Sequence, residues 1–289
     1  MVGPDDIAPI CMPTKISFSI ADLCLSLGWE YPFSRVELPP AYRSFSASVE
    51  SDIHLELAVA DDPPAAGPAI FESAPIWCLY RVPGGALFHL FDSYPELRRT
   101  LLIPDGGGRA RLAFLCADRN PFVGPALELL VITHLARCDG VILHGCGISI
   151  GGRGIVFAGE SGAGKSTLSR LWTQQAGIQI LSDDRVVVRR RNGSFYLYGT
   201  PWHGDAAFAA PGGVELSRIF FIRHGQGNEV RKLSAAGAVC NMLKCSFPPL
   251  WDAGGLAAAL ELFHKVATSM PCAELAFVPD SSVIESVMP

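Results

Sequence analysis

At 289 residues, with 49% hydrophobic and 18% charged residues, the chain has the composition of an ordinary globular protein, long enough for two domains and a sizeable core. A net charge of −5 removes the basic excess of a nucleic-acid binder, and the longest apolar runs, such as ALELLVITHLA (126–136), are too short to span a bilayer. Neither nucleic acid nor membrane is therefore expected as a partner. The opening MVGPDDIAPICMPTK places acids and prolines where a secretory signal has positive charge and an apolar run, so a cytoplasmic location is expected. Nine cysteines without a C-x-x-C pair read as free thiols in a reducing compartment.

From Lys15 to Cys116, short alternating or apolar runs (KISFSI, SFSASV, IHLELAV, IWCLYRV, ALFHLFD, RARLAFLC) are separated by turn signals such as DDPPAAGP, PGG and PDGGG. They predict a mostly antiparallel β domain over 1–118, in which His54 and His89 read as half-buried packing residues. PFVGPALELLVITHLARCDG has helical spacing and leads into a second domain, 119–289. There, VILHGCGISI, the turn GGRG and GIVFAG predict a β-hairpin. GIQILSDDRVVVRR, NGSFYLYG and SRIFFIRHG follow as strands, with Asn192-Gly193 as a hairpin turn. LSAAGAVCNMLKC and AGGLAAALELFHKVATSM read as helices, CAELAFVP as a strand, and DSSVIESVM as a helix capped by Asp280.

Between GIVFA and the helix STLSRLWTQQA stands GESGAGKST, which fits G-x-x-x-x-G-K-[ST], the Walker A phosphate loop. Gly159, Gly162 and Gly164 let the backbone turn tightly and approach an anion, and the helix N-terminus adds partial positive charge. The residues expected to cradle ATP are Gly159, Ser161, Gly162, Ala163, Gly164, Lys165, Ser166 and Thr167. Lys165 would reach the β- and γ-phosphates, and Ser166 would bind Mg²⁺ through its hydroxyl.

Two features outside the loop bear on the reaction. ILSDD ends an apolar strand in Asp183 and Asp184, two carboxylates deliverable to the ligand crevice at a strand's carboxyl end. One can hold Mg²⁺, and the other can take the proton of an attacking hydroxyl. His144 lies on the strand expected to pair with the one entering the loop, from where its imidazole could orient Asp183.

LHGCGISIGGRGIVFAGESGAGKS together with ILSDD resembles the catalytic domain of HPr kinase/phosphorylase and its relatives, a P-loop fold similar in its nucleotide site to ATP-dependent phosphoenolpyruvate carboxykinase. The resemblance covers 141–188 well and the remaining C-terminal half weakly. It implies an α/β P-loop kinase domain behind an N-terminal mostly antiparallel β domain, with Lys165 and Ser166 serving nucleotide and metal. By the same resemblance Asp183 is the base assisted by His144, and Asp184 helps hold Mg²⁺. Thr167 stands where the HPr enzymes carry an acid, and their downstream HPr-recognition segment is not found. The better match is to HPr-kinase-like proteins of peptide-modifying pathways, some of which phosphorylate a serine of a precursor peptide, including lasso peptides. A peptide or protein acceptor and a homo-oligomer are expected.

Two other readings stay open: a small-molecule kinase of the adenylylsulfate-kinase type, and a non-catalytic nucleotide-binding module. GTPWHGD places Trp202 and His203 in a loop where they could cover an acceptor or anchor a turn. Arg189, Arg190 and Arg191 read as a solvated hairpin tip. Arg231 and Lys232 are candidates for contacting the transferred phosphate.

Overall fold

The computed structural model describes residues 14–30, 32–33, 36–93, 96–105 and 108–288. The opening segment and part of the PDGGG turn lie outside them. The fold is mixed α/β, with two large, mostly antiparallel sheets and few helices. The chain divides into two compact units: one holds the residues up to Phe18, Cys24–Pro39 and Ala47–Leu127, the other Ser19–Leu23, Pro40–Ser46 and everything from Glu128. The division thus falls at Leu127/Glu128, not at 118/119, and two short N-terminal segments belong with the second unit.

The N-terminal sheet is built from β1 (Thr14–Ile20), β2 (Leu23–Trp29), β3 (Ile53–Val59), β4 (Phe71–Ser73), β5 (Trp77–Val82), β6 (Gly85–Ser93), β7 (Glu96–Pro104) and β8 (Arg109–Phe114). Their order is β1-β2-β3-β8-β7-β6-β5-β4. Antiparallel ladders run from β8 to β4, but β2–β3 and β3–β8 are parallel. Alternation produces the core: Leu25 and Leu27, Ile53, Leu55 and Leu57, and Ala110 and Leu112 all point inward and are buried. The run SFSASV forms no strand and instead follows α1 (Pro40–Arg43). Only Phe45 of its apolar residues finds a core, while Val49 is 58% exposed, so its alternation has no face to bury.

The second unit contains α2 (Ala126–Leu135), whose first two residues belong to the first unit, and then β9 (Gly140–Ile150) and β10 (Arg153–Ala158). These two form the predicted hairpin, turning through Gly151 and Gly152 at φ of 55 and 78. Next come α3 (Lys165–Trp172), β11 (Ile178–Ser182), β12 (Arg185–Arg191), β13 (Ser194–Gly199), β14 (Gly213–His224) and β15 (Glu229–Lys232). α4 (Ala235–Lys244), α5 (Ala253–Ser269), β16 (Cys272–Phe277) and α6 (Ser282–Val287) complete the unit. The α6 cap position is Ser281; Asp280 reaches past it to accept from the Ser282 backbone N–H at 2.9 Å.

The sheet order is β10-β9-β12-β13-β14-β16-β15, and β10 also pairs in parallel with β14, so the strand path closes on itself. The period-2 alternation of β10 divides the core in two. Val156 and Ala158 face α4 and α5 through Met242, Phe263 and Val266. Ile155 and Phe157 face α3 and α6 through Leu168, Trp172 and Val283. Helices therefore cover both faces, and each fully buried large side chain contributes roughly 1.5–3 kcal/mol of apolar burial. The loop from Gly159 to Gly164 emerges where β10 leaves this double cover.

Candidate functional site

The glycine-rich loop joins β10 to α3, and its geometry explains its composition. Gly162 and Gly164 take φ of 81 and 100, where a side chain is strained. A Cβ on Gly164 would lie 2.7 Å from Phe277 Cζ, and one on Gly159 2.9 Å from both Ala163 Cβ and Ile222 Cγ1. The loop start is tied to β9, since the Gly159 N–H donates to the His144 carbonyl at 3.1 Å. Lys165 is buried at the first position of α3, and its ammonium donates to the carbonyls of Gly159 (3.0 Å) and Glu160 (2.9 Å). Burial pushes this ammonium below its ordinary value, against the pull of Asp184. Ser161 is exposed, and Ala163, Ser166 and Thr167 are half-buried. Among the described residues the Ser166 hydroxyl has no hydrogen-bond partner.

Asp183 and Asp184 lie between β11 and β12, both antiparallel partners of β9. They form a bend between the two strands, and their carboxylates enter different surroundings. Asp183 is fully buried, and its carboxylate accepts the backbone N–H groups of Gly204 (3.0 Å), Ala206 (2.9 Å) and Phe208 (3.2 Å). Alternate N–H groups of one loop converge on a single ionisable group, which makes Asp183 the anchor of 200–208. Gly204 makes a close approach there, since a Cβ would lie 3.0 Å from Asp183 Oδ2.

Asp184, not Asp183, is the partner of His144: Nε2 lies 2.9 Å from Asp184 Oδ1. The expectation that the imidazole orients Asp183 is corrected: the chain bends at Asp183 and Asp184, and the Asp184 carbonyl accepts the Gly145 N–H at 2.8 Å, which holds Asp184 against β9 beside the histidine. The second Asp184 oxygen accepts from Arg185, whose guanidinium also pairs with Glu128 of α2 and stacks 5.1 Å from the Phe247 ring centre. Burial alone would raise the Asp184 carboxyl, but the His144 hydrogen bond, Arg185 and Lys165 hold it below the usual range. Glu128 is pushed up by burial despite Arg185. The side chains of His144 and Asp184 remain 22% and 19% exposed, so this pair is open to a ligand as Asp183 is not.

Trp202 packs with its side chain hydrogen-bonded to the Tyr42 hydroxyl, an anchoring role, while His203 is exposed with Nδ1 2.9 Å from the Gly204 carbonyl oxygen. Arg231 pairs with Glu274 at 3.0 Å, and Lys232 is exposed on β15. Neither lines the cavity of about 370 Å³ beside the loop; that cavity is bounded by Gly159–Ala163, Arg223, His224, Asn241, Lys244 and Glu274. His224 Nε2 lies 2.7 Å from the Gly162 carbonyl oxygen and steadies the loop tip. Sequence reasoning missed Glu128, Arg185, His224 and Lys244. Arg185 directly follows the aspartate pair and could have been found there; the others are brought in from distant elements.

Among the described residues no three His, Cys, Asp or Glu side chains converge as a metal group. Of the two expected Mg²⁺ ligands, Ser166 is half-buried with a hydroxyl that has no hydrogen-bond partner among the described residues, whereas both Asp184 oxygens are engaged, by His144 and Arg185. No protein-family model matches the chain, and no curated protein matches it.

Proposed function

We propose that this protein is an ATP- and Mg²⁺-dependent kinase with a P-loop domain, transferring the γ-phosphoryl group to a serine hydroxyl of a peptide or protein. The observation that carries this reading is the convergence on β9 of two devices: the loop start bonded to the His144 carbonyl, and the His144 imidazole bonded to Asp184. One strand thereby fixes a phosphate-binding loop relative to an ionised carboxylate. Charge repulsion and proton removal are the two demands of phosphoryl transfer to an alcohol.

On this reading the loop N–H groups and the N-terminus of α3 receive the phosphates, and Lys165 exchanges the carbonyls of Gly159 and Glu160 for phosphate oxygens. The acceptor oxygen forms its bond to γ-phosphorus as the bond to the β-bridging oxygen breaks, and the hydroxyl proton passes to Asp184. Asp183, sealed by three N–H groups, holds the loop 200–208 instead of acting as the base. Ser166 would then be the chain's main Mg²⁺ ligand, the ion neutralising charge on the phosphates. A depressed carboxyl is a weak base, which suits a loose transition state in which the proton leaves late.

The test is incubation with γ-labelled ATP and serine-containing peptides, with the label located by mass spectrometry. Label on serine, absent with Lys165→Ala, supports the reading. Label only on a small metabolite would replace it with the small-molecule kinase, and nucleotide binding without transfer to any acceptor would leave a binding module.

A further inference from the structure

The first unit has its own cavity, of about 590 Å³, on the part of its sheet where the strands are parallel. Strand register sets the side chains there in rows. Ser26, His54 and Arg109 form one row across β2, β3 and β8; Gly28, Glu56 and Arg111 form the next. The alternate residues Leu27, Leu55 and Ala110 are buried on the other face. The first row is organised, with Ser26 Oγ 2.8 Å from His54 Nδ1, so the imidazole is a placed group and not simple packing. In the second row a Cβ on Gly28 would meet nothing within 4 Å, which leaves an open floor beside the charges.

Parallel strands are ordinarily covered on both faces, and here one face presents charge. Arg109, Arg111 and Glu56 are exposed, and none of them has an ion-pair partner among the described residues. Lys15 adds a further cation at the rim. Arg109 and Arg111 stand two residues apart on β8, about 7 Å along the strand, a spacing that can fork one carboxylate or accept two from an extended chain. Glu56, directly beside Arg111, repels a dense polyanion and can accept a peptide N–H.

We propose that this cavity binds an extended peptide segment through its carboxylate, with Arg109 and Arg111 as the anion contacts. It serves as the docking site for the acceptor polypeptide, a role that rests on the kinase reading, whereas the binding itself does not.

The test measures fluorescence anisotropy of a fluorescein-labelled, C-terminally amidated peptide of alternating serine and glutamate with the full chain, without ATP. Two companion peptides replace every glutamate by glutamine, one amidated and one with a free C-terminal carboxylate, so side-chain and terminal carboxylates are told apart. We expect a carboxylate-bearing peptide to bind, and the Arg109→Gln/Arg111→Gln double variant to weaken it at least tenfold at an unchanged melting temperature. Glu56→Gln should tighten binding, and Lys165→Ala should leave it unaltered. Binding that is absent, equal for the amidated glutamine peptide, or unchanged in the double variant overturns the proposal. Binding as expected without phosphoryl transfer defeats only the kinase reading. Transfer to a serine peptide with unchanged KM in the double variant defeats the docking role alone.

Discussion

Around the glycine-rich loop Lys165, Asp183, Asp184 and Arg185 each have a hydrogen-bond or ion-pair partner, whereas on the parallel part of the first unit's sheet Arg109, Arg111 and Glu56 have none among the described residues. The difference follows from cover. The second sheet carries helices on both faces, and an ionised group placed there must be compensated or neutralised. The exposed rows of the first sheet stay hydrated, so unpaired charges cost little and remain available. Compensated charge is fixed in position, as transition-state stabilisation requires; hydrated charge suits recognition that adapts to its ligand.

The strongest way to break this contrast is Lys165→Ala. On the kinase reading it removes a fixed cation at the phosphates, so transfer should fall on the order of 10³-fold and nucleotide affinity should drop. Calorimetry and initial rates check both, and unchanged values would remove the loop from the phosphate site. Next, the two aspartates should separate. Asp184→Asn should lower transfer by roughly 10²–10⁴-fold at saturating Mg²⁺ with little change in melting temperature. Were Asp184 chiefly a metal ligand, excess Mg²⁺ would restore the rate. Asp183→Asn puts an NH₂ donor among the N–H donors of 204–208 and should destabilise the protein by roughly 1–3 kcal/mol, read as a lower denaturation midpoint.

The histidine sharpens the contrast on the pH axis. His144 is one of the causes holding Asp184 below the usual carboxylate range, so His144→Ala should raise that carboxyl. Proton acceptance needs the ionised form. The acidic limb of the kcat/KM profile should therefore move to higher pH in the variant, and a limb that stays in place or moves the other way would detach His144 from Asp184.

What could be read in the sequence was local chemistry. Gly151-Gly152 and Asn192-Gly193 both turn where expected, at positive φ, because such turns are specified by two residues. The loop and its flanking strand and helix were legible for the same reason. Strand β7 was missed because Arg98 and Arg99 interrupt its apolar signal. Arg99 is nevertheless buried, paired with Asp92 on β6 and with the Val123 carbonyl, 24 residues away in the chain. The partner of His144 was misread because proximity in sequence cannot say which member of Asp183-Asp184 faces β9; that is set by how the chain bends between β11 and β12. Parallel pairing of β2, β3 and β8 was equally hidden, since it joins segments far apart in the chain.

The smallest expected effect is the most direct check on hydrated charge. Arg109→Gln and Arg111→Gln remove cations that no carboxylate contacts among the described residues, and neither side chain is buried. Each should change unfolding free energy by no more than about 0.5 kcal/mol in denaturant titration. Loss of Arg111 also removes the cation closest in register to Glu56, so any effect should be larger there than at Arg109, and salt should diminish it. A loss of several kcal/mol at either position would mean that these guanidinia are structural, held as Arg185 is held. The exposed rows would then belong to the fold and not to a ligand.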